Sequence, residues 1–244
     1  QGLISIRYDH IPAQTLFPPA EVRVLKLDLK KKGDHIAYIA GAGDDMIPCL
    51  KQLGYKVTLL KEEAVNVQKL KEFSAVVIGI RAFNVNEKLR SCHPALLEYV
   101  KQGGTVVIQY NTLPGRASES KLVTDSIGPY PFKLSNERVT MEDAAVRLLK
   151  PQHPLLSKPN KISDADFAGW VQERGLYFPN EWNSHYETVI SCNDTGETPK
   201  DGGILYAKYG QGVFIYTSYS WFRQLPAGVP GAYRLFVNLL SAGK

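Results

Sequence analysis

Strand-like and helix-like segments alternate between residues 35 and 110, and this alternation constrains the fold more than any other feature of the chain. Each strand-like segment is short and continuously apolar, which is typical of a parallel sheet covered on both faces. Alternation at this spacing predicts right-handed β-α-β units in a doubly wound, mostly parallel α/β sheet. The predicted strands are residues 35–40, 56–60, 75–80 and 105–110, and the predicted helices are residues 45–53, 64–72 and 86–102.

The C-terminal region continues the pattern with a hairpin and a closing helix. Residues 204–210 and 212–220 are predicted strands, joined through Gly210-Gln211-Gly212. Residues 231–243 predict an amphipathic helix that closes the domain. The pattern is looser between residues 112 and 200: residues 138–149 favour strand over helix, Ser163 and Asp166 predict a capping box, and residues 186–191 predict a strand.

The N-terminal segment differs from the rest. Residues 3–8 and 21–29 alternate between apolar and polar and predict two strands, with the proline-broken connector 11–19 between them. Two strands alone are not stable in water, so we expect them to pack on the main domain or on an upstream domain. We therefore divide the chain into a β appendage, residues 1–32, and an α/β domain, residues 33–244. We also expect the chain to be a piece of a longer protein.

Composition argues against several classes of protein. The net charge of +5 is small for 244 residues, and Lys30–Lys32 is the only basic run, whereas a nucleic-acid-binding protein carries a basic stripe. No apolar run reaches the ~18 residues of a transmembrane helix. Cys49 and Cys92 lie among apolar residues and are predicted to be core residues. The sequence therefore predicts no nucleic-acid partner, no membrane span and no disulfide framework.

A glycine-rich turn, Gly41-Ala42-Gly43, follows the first predicted strand of the sheet, where a dinucleotide-binding protein would hold a phosphate. The dinucleotide fingerprint needs a third glycine where this chain has Met46. Asp44 and Asp45 would repel a phosphate, but they suit the start of a helix as a cap and as partners of its dipole. We interpret the turn as a strand-to-helix connection, with Asp44 facing a hydroxyl-bearing ligand, because carboxylates accept hydrogen bonds from hydroxyls.

The sequence lacks the usual signals of a metal site and of covalent catalysis. The five histidines show neither His-x-x-x-His nor His-x-His spacing, and the acids near Asp164 lack the glycine and distal glutamate of a calcium loop. No Gly-x-Ser-x-Gly elbow is present. The sequence therefore predicts no metal and no cofactor.

Polar and aromatic side chains follow three of the predicted strands at the point where each strand ends. Ligands bind outside these carboxyl ends in open α/β sheets. Arginine can hold a carboxylate or phosphate through two hydrogen bonds, and aromatic faces suit sugar rings. The same residues are equally compatible with a salt-bridged scaffold, so both interpretations stay open. Together with Asp44, the candidate ligand-binding residues are Arg81, Asn84, Tyr110, Asn111, Tyr219 and Arg223.

Several segments resemble known families. FSAVVIGIRAFN, a helix and GGTVVIQYNT resemble the third and fourth strands of the class I glutamine-amidotransferase-like fold, which is flavodoxin-like. HPLL followed by YGQGVFIYTSYSWF is similar to the trehalose-utilisation branch of that superfamily. More closely, residues 3–244 resemble the C-terminal region of bacterial PIG-L/LmbE-like deacetylases, especially those of Bacteroidetes. The segments that carry this resemblance are YDHIPAQTLFPPAE, GIRAFN, VIQYNT, IGPYPF, WVQERGLYFPNEW and LPAGVPGAYRLFVNLLS.

The departures from these families bear on activity. Active amidotransferases carry a cysteine at the elbow after the fourth strand and a histidine after a later strand. By the resemblance, the elbow falls at Tyr110 and the histidine position falls near Ser220 or Trp221, so both catalytic groups are missing. A phenol with an ordinary pKa near 10 also lacks an adjacent base to activate it. The zinc motif of the deacetylases, His-Pro-Asp-Asp, is absent as well.

Three hypotheses for the function follow. The first is a non-catalytic amidotransferase-like module that binds a carbohydrate-like ligand or braces an upstream deacetylase-like domain of the same chain. The second is a hydrolase that uses Tyr110 or an acid such as Asp44 in the same cleft. The third is a pure scaffold or interaction domain. The long proteins that the chain resembles look exported, so we expect a periplasmic or exported location.

Overall fold

A seven-stranded sheet forms the centre of the protein in the computed structural model, which describes residues 2–19, 21–22, 24–43, 45–113 and 127–244. The strands, in chain order, are β1 (Ile4–Tyr8), β2 (Ile11–Leu16), β3 (His35–Ile39), β4 (Lys56–Leu59), β5 (Ala75–Ile78), β6 (Thr105–Gln109), β7 (Phe132–Leu134), β8 (Arg138–Val139), β9 (Val146–Leu148), β10 (Gly175–Leu176), β11 (Pro179–Trp182), β12 (Glu187–Thr188), β13 (Ile190–Cys192), β14 (Ile204–Tyr209) and β15 (Gly212–Thr217).

The helices are short, apart from two that pack on the sheet. None of those among the described residues is long and apolar enough to cross a membrane. The helices are α1 (Met46–Gln52), α2 (Val67–Leu70), α3 (Ala82–Val85), α4 (Leu89–Lys101), α5 (Pro154–Ser157), α6 (Trp221–Gln224) and α7 (Pro230–Leu240), and Glu62–Ala64 and Asp164–Phe167 form 3-10 turns.

The strand order of the central sheet is β12-β14-β15-β6-β5-β3-β4. The five strands from β15 to β4 are parallel, whereas β14 pairs antiparallel with β15 and β12 pairs antiparallel with β14. The chain passes from β3 outward to β4 and then returns to the other side of β3 as β5, so the sheet is doubly wound. This arrangement confirms the predicted fold class.

Both faces of the sheet are buried, as the continuous apolar segments predict. Successive residues of each strand point to opposite faces, so β3, β5, β6 and β15 contribute to two hydrophobic layers, whereas the edge strand β4 is partly exposed. One layer includes Tyr38, Val77, Val107 and Ile215 together with residues of α1 and α7, and the other includes Ile39, Ile78, Ile108 and Tyr216 together with residues of α4.

The appendage differs from its prediction. The second N-terminal strand is β2, within the segment predicted to be a connector, and it pairs with β1 as an antiparallel hairpin. Residues 24–32 run extended without ladder pairing, and Leu25, Leu27 and Leu29 pack on the α1 and α7 layer. The predicted strand over residues 21–29 is therefore wrong, because alternating burial against a helical layer leaves the same sequence pattern as a strand.

The boundaries of other predicted helices and strands differ from the structure by smaller amounts. The predicted helix over residues 86–102 is α4, preceded by the separate turn α3, and the helix predicted over residues 64–72 shortens to α2 after a 3-10 turn. The favoured strand over residues 138–149 is confirmed as β8 and β9. The capping box of Ser163 and Asp166 is confirmed, on a 3-10 turn.

A buried amide pair fastens the extended N-terminal segment to α7. The fully buried Asn238 donates to Leu155 O and Asn160 O at 2.9 and 2.7 Å, and accepts from the main-chain and side-chain nitrogens of Asn160. Asn160 in turn exchanges two hydrogen bonds with the main chain of Lys30, at 2.8 and 2.9 Å. The pair therefore satisfies main-chain groups of three separate segments.

Asn238→Ala should lower the free energy of unfolding by about 2 to 3 kcal/mol, because it leaves buried donors and acceptors without partners. Urea denaturation followed by circular dichroism measures this loss. The matched control is Asn136→Ala at an exposed position, for which we expect a change below about 0.5 kcal/mol. Equal effects of the two substitutions would contradict the role given to the amide pair.

Candidate functional site

The carboxyl ends of β3, β5, β6 and β15 meet at one edge of the sheet, which is where open α/β sheets bind ligands. The loops that follow these strands are tied together. Ala42 N donates to Ile80 O at 2.7 Å, and Arg81 N donates to Tyr110 O at 2.7 Å. A Cβ added at Gly41 would lie 2.0 Å from Ile80 O, so this approach needs glycine. We call this edge the strand-end cleft.

The glycine turn shapes the backbone between β3 and α1 and is not interpreted as a phosphate site. Gly43 has a φ of +65°, a left-handed conformation that glycine adopts readily. Asp45 occupies the N-cap position of α1, but its side chain makes no capping hydrogen bond. Asp44, a predicted ligand-binding residue, lies outside the described residues.

Arg81 stands at the mouth of the strand-end cleft. It has a φ of 54° and begins α3 directly after β5, and its side chain is exposed. A left-handed conformation is uncommon for a residue with a side chain and costs free energy, and such residues concentrate at functional sites. The sharp turn at this residue sets the direction in which α3 leaves the strand.

The two predicted asparagines bind the protein itself. Asn84 exchanges two hydrogen bonds with the main chain of Thr112, both at 2.9 Å. The fully buried Asn111 accepts from Phe83 N at 3.1 Å and donates to Gln109 O at 3.1 Å. These amides hold the loop after β6 against α3, so the structure places them as supports of the cleft rather than on its surface.

Tyr110, at the elbow position, forms the inner part of the strand-end cleft. Its side chain is 5% exposed, and its ring centroid lies 5.7 Å from that of Tyr177 and 5.8 Å from that of Phe222. Burial, reinforced by Glu173, raises the pKa of Tyr110 to about 12 against smaller opposing effects of Arg223 and Arg81. The phenol is therefore neutral at physiological pH and can both donate and accept a hydrogen bond.

Arg223 forms an ion pair beside Tyr110. Its Nε lies 2.7 Å from Glu173 Oε1, and its guanidinium lies 4.8 Å from the centroid of the Phe222 ring. Ser220 Oγ donates to the same carboxylate oxygen at 3.1 Å. The Glu173 carboxylate therefore already has two hydrogen-bond partners, Arg223 and Ser220.

Tyr219 and Trp221 are not part of the cleft surface. Both are fully buried, and the Tyr219 ring packs between Trp170, Phe178 and Trp221. The Tyr219 hydroxyl lies 3.4 Å from Cys192 Sγ, and burial raises its pKa well above the usual value. The structure therefore separates Tyr219 from Arg81, Tyr110 and Arg223, which it brings together.

Three residues of the cleft were not among the predicted ligand-binding residues. Tyr177, Glu173 and Phe222 touch or face Tyr110, and the first two come from an irregular segment far away in the chain. Tyr177 has a φ of 56° and Gln172 a φ of 66°. The three non-glycine residues with positive φ among the described residues, Arg81, Gln172 and Tyr177, all lie at or next to this cleft.

The arrangement contains groups that bind but no exposed nucleophile paired with a base. Within the described residues, no carboxylate or imidazole forms a hydrogen bond with the Tyr110 hydroxyl, and no group of three metal-ligating side chains occurs. Ser220 and Glu173 do form a hydroxyl–carboxylate pair, but Ser220 is fully buried and cannot meet a substrate. What remains accessible is the exposed Arg81 and two partly exposed aromatic rings, Tyr177 and Phe222, which pack against the buried phenol of Tyr110.

Comparison with known proteins gives the class of the fold. No family model matches the chain, and no curated protein matches it either. A candidate GMP synthase component from Thermoplasma acidophilum matches at 10% identity and a TM-score of 0.50, over 87% of this chain and 96% of its own. A candidate ThuA-like protein from Bacteroides uniformis matches at 12% identity and a TM-score of 0.51, over 91% and 94%.

A third match is to part of a larger protein. A cold-adapted β-galactosidase from Rahnella sp. R3 matches at 11% identity and a TM-score of 0.52, over 86% of this chain but only 31% of its own. At these identities the likeness concerns the fold alone. The chain therefore has the glutamine-amidotransferase-like α/β fold, as the order of its strands and helices predicts.

The buried phenol gives a spectroscopic test. In the folded protein the pKa of Tyr110 is about 12, whereas an unfolded tyrosine titrates near 10. Because the fold favours the neutral phenol, the stability that it contributes is complete below pH 10 and is lost as the pH rises through 12. At pH 10.5 the tyrosinate absorbance of wild type and Tyr110→Phe should therefore be equal within one-tenth of a tyrosine.

The same pair of proteins in concentrated urea serves as the control for this titration. There the wild type should carry a clear excess of tyrosinate over Tyr110→Phe at pH 10.5. An excess of similar size in the folded proteins would show that the phenol is not shielded.

Proposed function

We propose that the protein is a non-catalytic glutamine-amidotransferase-like module that binds a carbohydrate ligand in the strand-end cleft. One observation carries the proposal: the elbow position holds Tyr110, a buried and neutral phenol without a hydrogen-bonded base among the described residues, beside the exposed Arg81. Covalent catalysis needs a nucleophile that an adjacent base or a lowered pKa activates. The raised pKa of Tyr110 is the opposite condition, so binding fits the cleft better than glutaminase chemistry.

The chemistry of the accessible groups supports a sugar ring as ligand. Tyr177 and Phe222 are partly exposed and flank Tyr110, and aromatic rings offer an apolar face to the CH groups of a sugar. Arg81 supplies several donors for ring hydroxyls or an acetamido carbonyl.

The context in a longer chain is the second part of the proposal. The segments that resemble PIG-L/LmbE-like deacetylases support an upstream catalytic domain of that kind, in a periplasmic or exported protein. The hairpin β1–β2 offers this domain a docking element, because Ile4, Tyr8 and Leu16 lie on one face of it and are all exposed. The match to about a third of a β-galactosidase shows that this fold occurs within a larger carbohydrate enzyme.

The two other hypotheses gain less support. A hydrolase using Tyr110 needs a base within hydrogen-bond reach, and Glu173 is instead engaged by Arg223 and Ser220. A hydrolase that uses Asp44 instead would depend on a residue that lies outside the described part of the chain. A pure scaffold or interaction role is favoured by the exposed apolar face of the hairpin, and it becomes the better account if the cleft binds no saccharide.

Isothermal titration calorimetry of the folded chain with chitotriose, a neutral N-acetylated oligosaccharide, tests the ligand. We expect binding by the wild type and a loss of roughly tenfold in affinity for Arg81→Ala, because a hydrogen bond from a charged donor contributes about 1.5 to 3 kcal/mol. The matched control is Arg138→Ala, which removes an exposed arginine from β8 and should bind like the wild type.

If the wild type does not bind chitotriose, the proposal of a carbohydrate ligand is wrong and only the bracing role remains. Equal losses for Arg81→Ala and Arg138→Ala would place the saccharide elsewhere, since Arg81 lies near Tyr110 and Arg138 does not act on it.

A further inference from the structure

A large cavity lies on the other side of the segment that supplies Glu173 to the strand-end cleft. Its volume is about 590 Å³, within the range of small-molecule sites. The 3-10 turn of residues 164–167, the loop after it and the segment before β9 line it, and it is open to solvent. Its apolar walls include Ala144, Val146, Phe167 and Trp170, and its polar groups are Glu142, Asp143, Asp164 and Arg174.

Arg174 is the deepest charged group of this cavity. It is 3% exposed, and its guanidinium lies 5.3 Å from the centroid of the Trp170 ring. Its Nε and Nη2 donate to Ala144 O at 3.1 and 2.8 Å, and its Nη1 donates to Phe167 O. No carboxylate of the described residues lies within 4 Å of the guanidinium, although buried charges are normally paired. These three bonds leave two of its five N–H groups for another acceptor.

The acidic and basic side chains of the cavity lie at different depths. Glu142, Asp143 and Asp164 are exposed and stand at the mouth, whereas Arg174 is buried. Burial lowers the pKa of Arg174. Cys192 and Tyr219 oppose that effect most, and Asp143 and Glu142 oppose it less, from outside hydrogen-bond distance. An anionic group at depth and a cationic group at the mouth would both find opposite charge here.

We propose that this cavity is a binding site for a zwitterionic α-amino acid with an apolar side chain. The carboxylate of the ligand would meet Arg174 and supply the counter-charge that the guanidinium lacks. Its ammonium would meet the carboxylates of the mouth, and its side chain would lie against the apolar walls. A purely anionic ligand would be repelled at the mouth, and a purely cationic one would leave Arg174 without a counter-charge.

The site is separate from the strand-end cleft. Glu173 turns toward Arg223 and Tyr110, whereas the next residue, Arg174, turns toward Ala144 and Phe167. The two sites therefore lie on opposite sides of one segment, and the amino-acid site does not rest on the proposed binding of carbohydrate.

Isothermal titration calorimetry at pH 7 with three matched ligands tests the charge pattern. L-leucine carries both charges, 4-methylpentanoate lacks the ammonium, and 3-methylbutylamine lacks the carboxylate. We expect L-leucine to bind at least tenfold more tightly than either analogue. Failure of the wild type to bind L-leucine, or an analogue that binds as tightly as L-leucine, would overturn the proposal.

Two variants locate the site without depending on the fold at Arg174. Asp143→Asn changes an exposed residue at the mouth and should weaken L-leucine at least threefold, while the affinity for 4-methylpentanoate stays equal or rises. Asp9→Asn, in the exposed turn of the hairpin, is the matched control and should bind like the wild type. Equal effects of Asp143→Asn and Asp9→Asn would overturn the assignment to this cavity.

Discussion

Parallel pairing of β4, β3, β5, β6 and β15 is the constraint on which the rest of the structure depends. The inner parallel strands β3, β5, β6 and β15 are buried on both faces and mostly apolar, so polar side chains that can meet a ligand follow these strands in the loops. Because the strands run in one direction, those loops gather at one edge. The strand-end cleft is thus a consequence of the topology, and its chemistry depends on the few residues placed there.

The fold was predictable because several successive segments repeat the same alternation of apolar strand and amphipathic helix. The site was predictable only in part. Arg81, Tyr110 and Arg223 follow strands or begin a helix, and the structure brings them together. Tyr219 also follows a strand, but its ring turns into the core, and sequence without a known register does not give that direction. Tyr177 belongs to an irregular segment, so only the tertiary fold places it against Tyr110.

The segment of residues 170–177 organises both proposed sites. Gln224 holds it through hydrogen bonds with the main chain of Val171 and Glu173, and Gln172 and Tyr177 take left-handed conformations within it. Glu173 and Arg174 consequently face opposite sides. A substitution that shifts this segment would alter the strand-end cleft and the cavity together, although no ligand need be shared between them.

Amide chemical-shift mapping of the isotopically labelled protein with chitotriose tests the central claim most directly. The account predicts that the largest changes fall at residues 79–84, 110–112 and 173–177, which surround the elbow position at Tyr110. Changes confined to the hairpin, to residues 142–146 and 164–170 around the other cavity, or to the antiparallel edge of the sheet would contradict a carbohydrate site in the strand-end cleft.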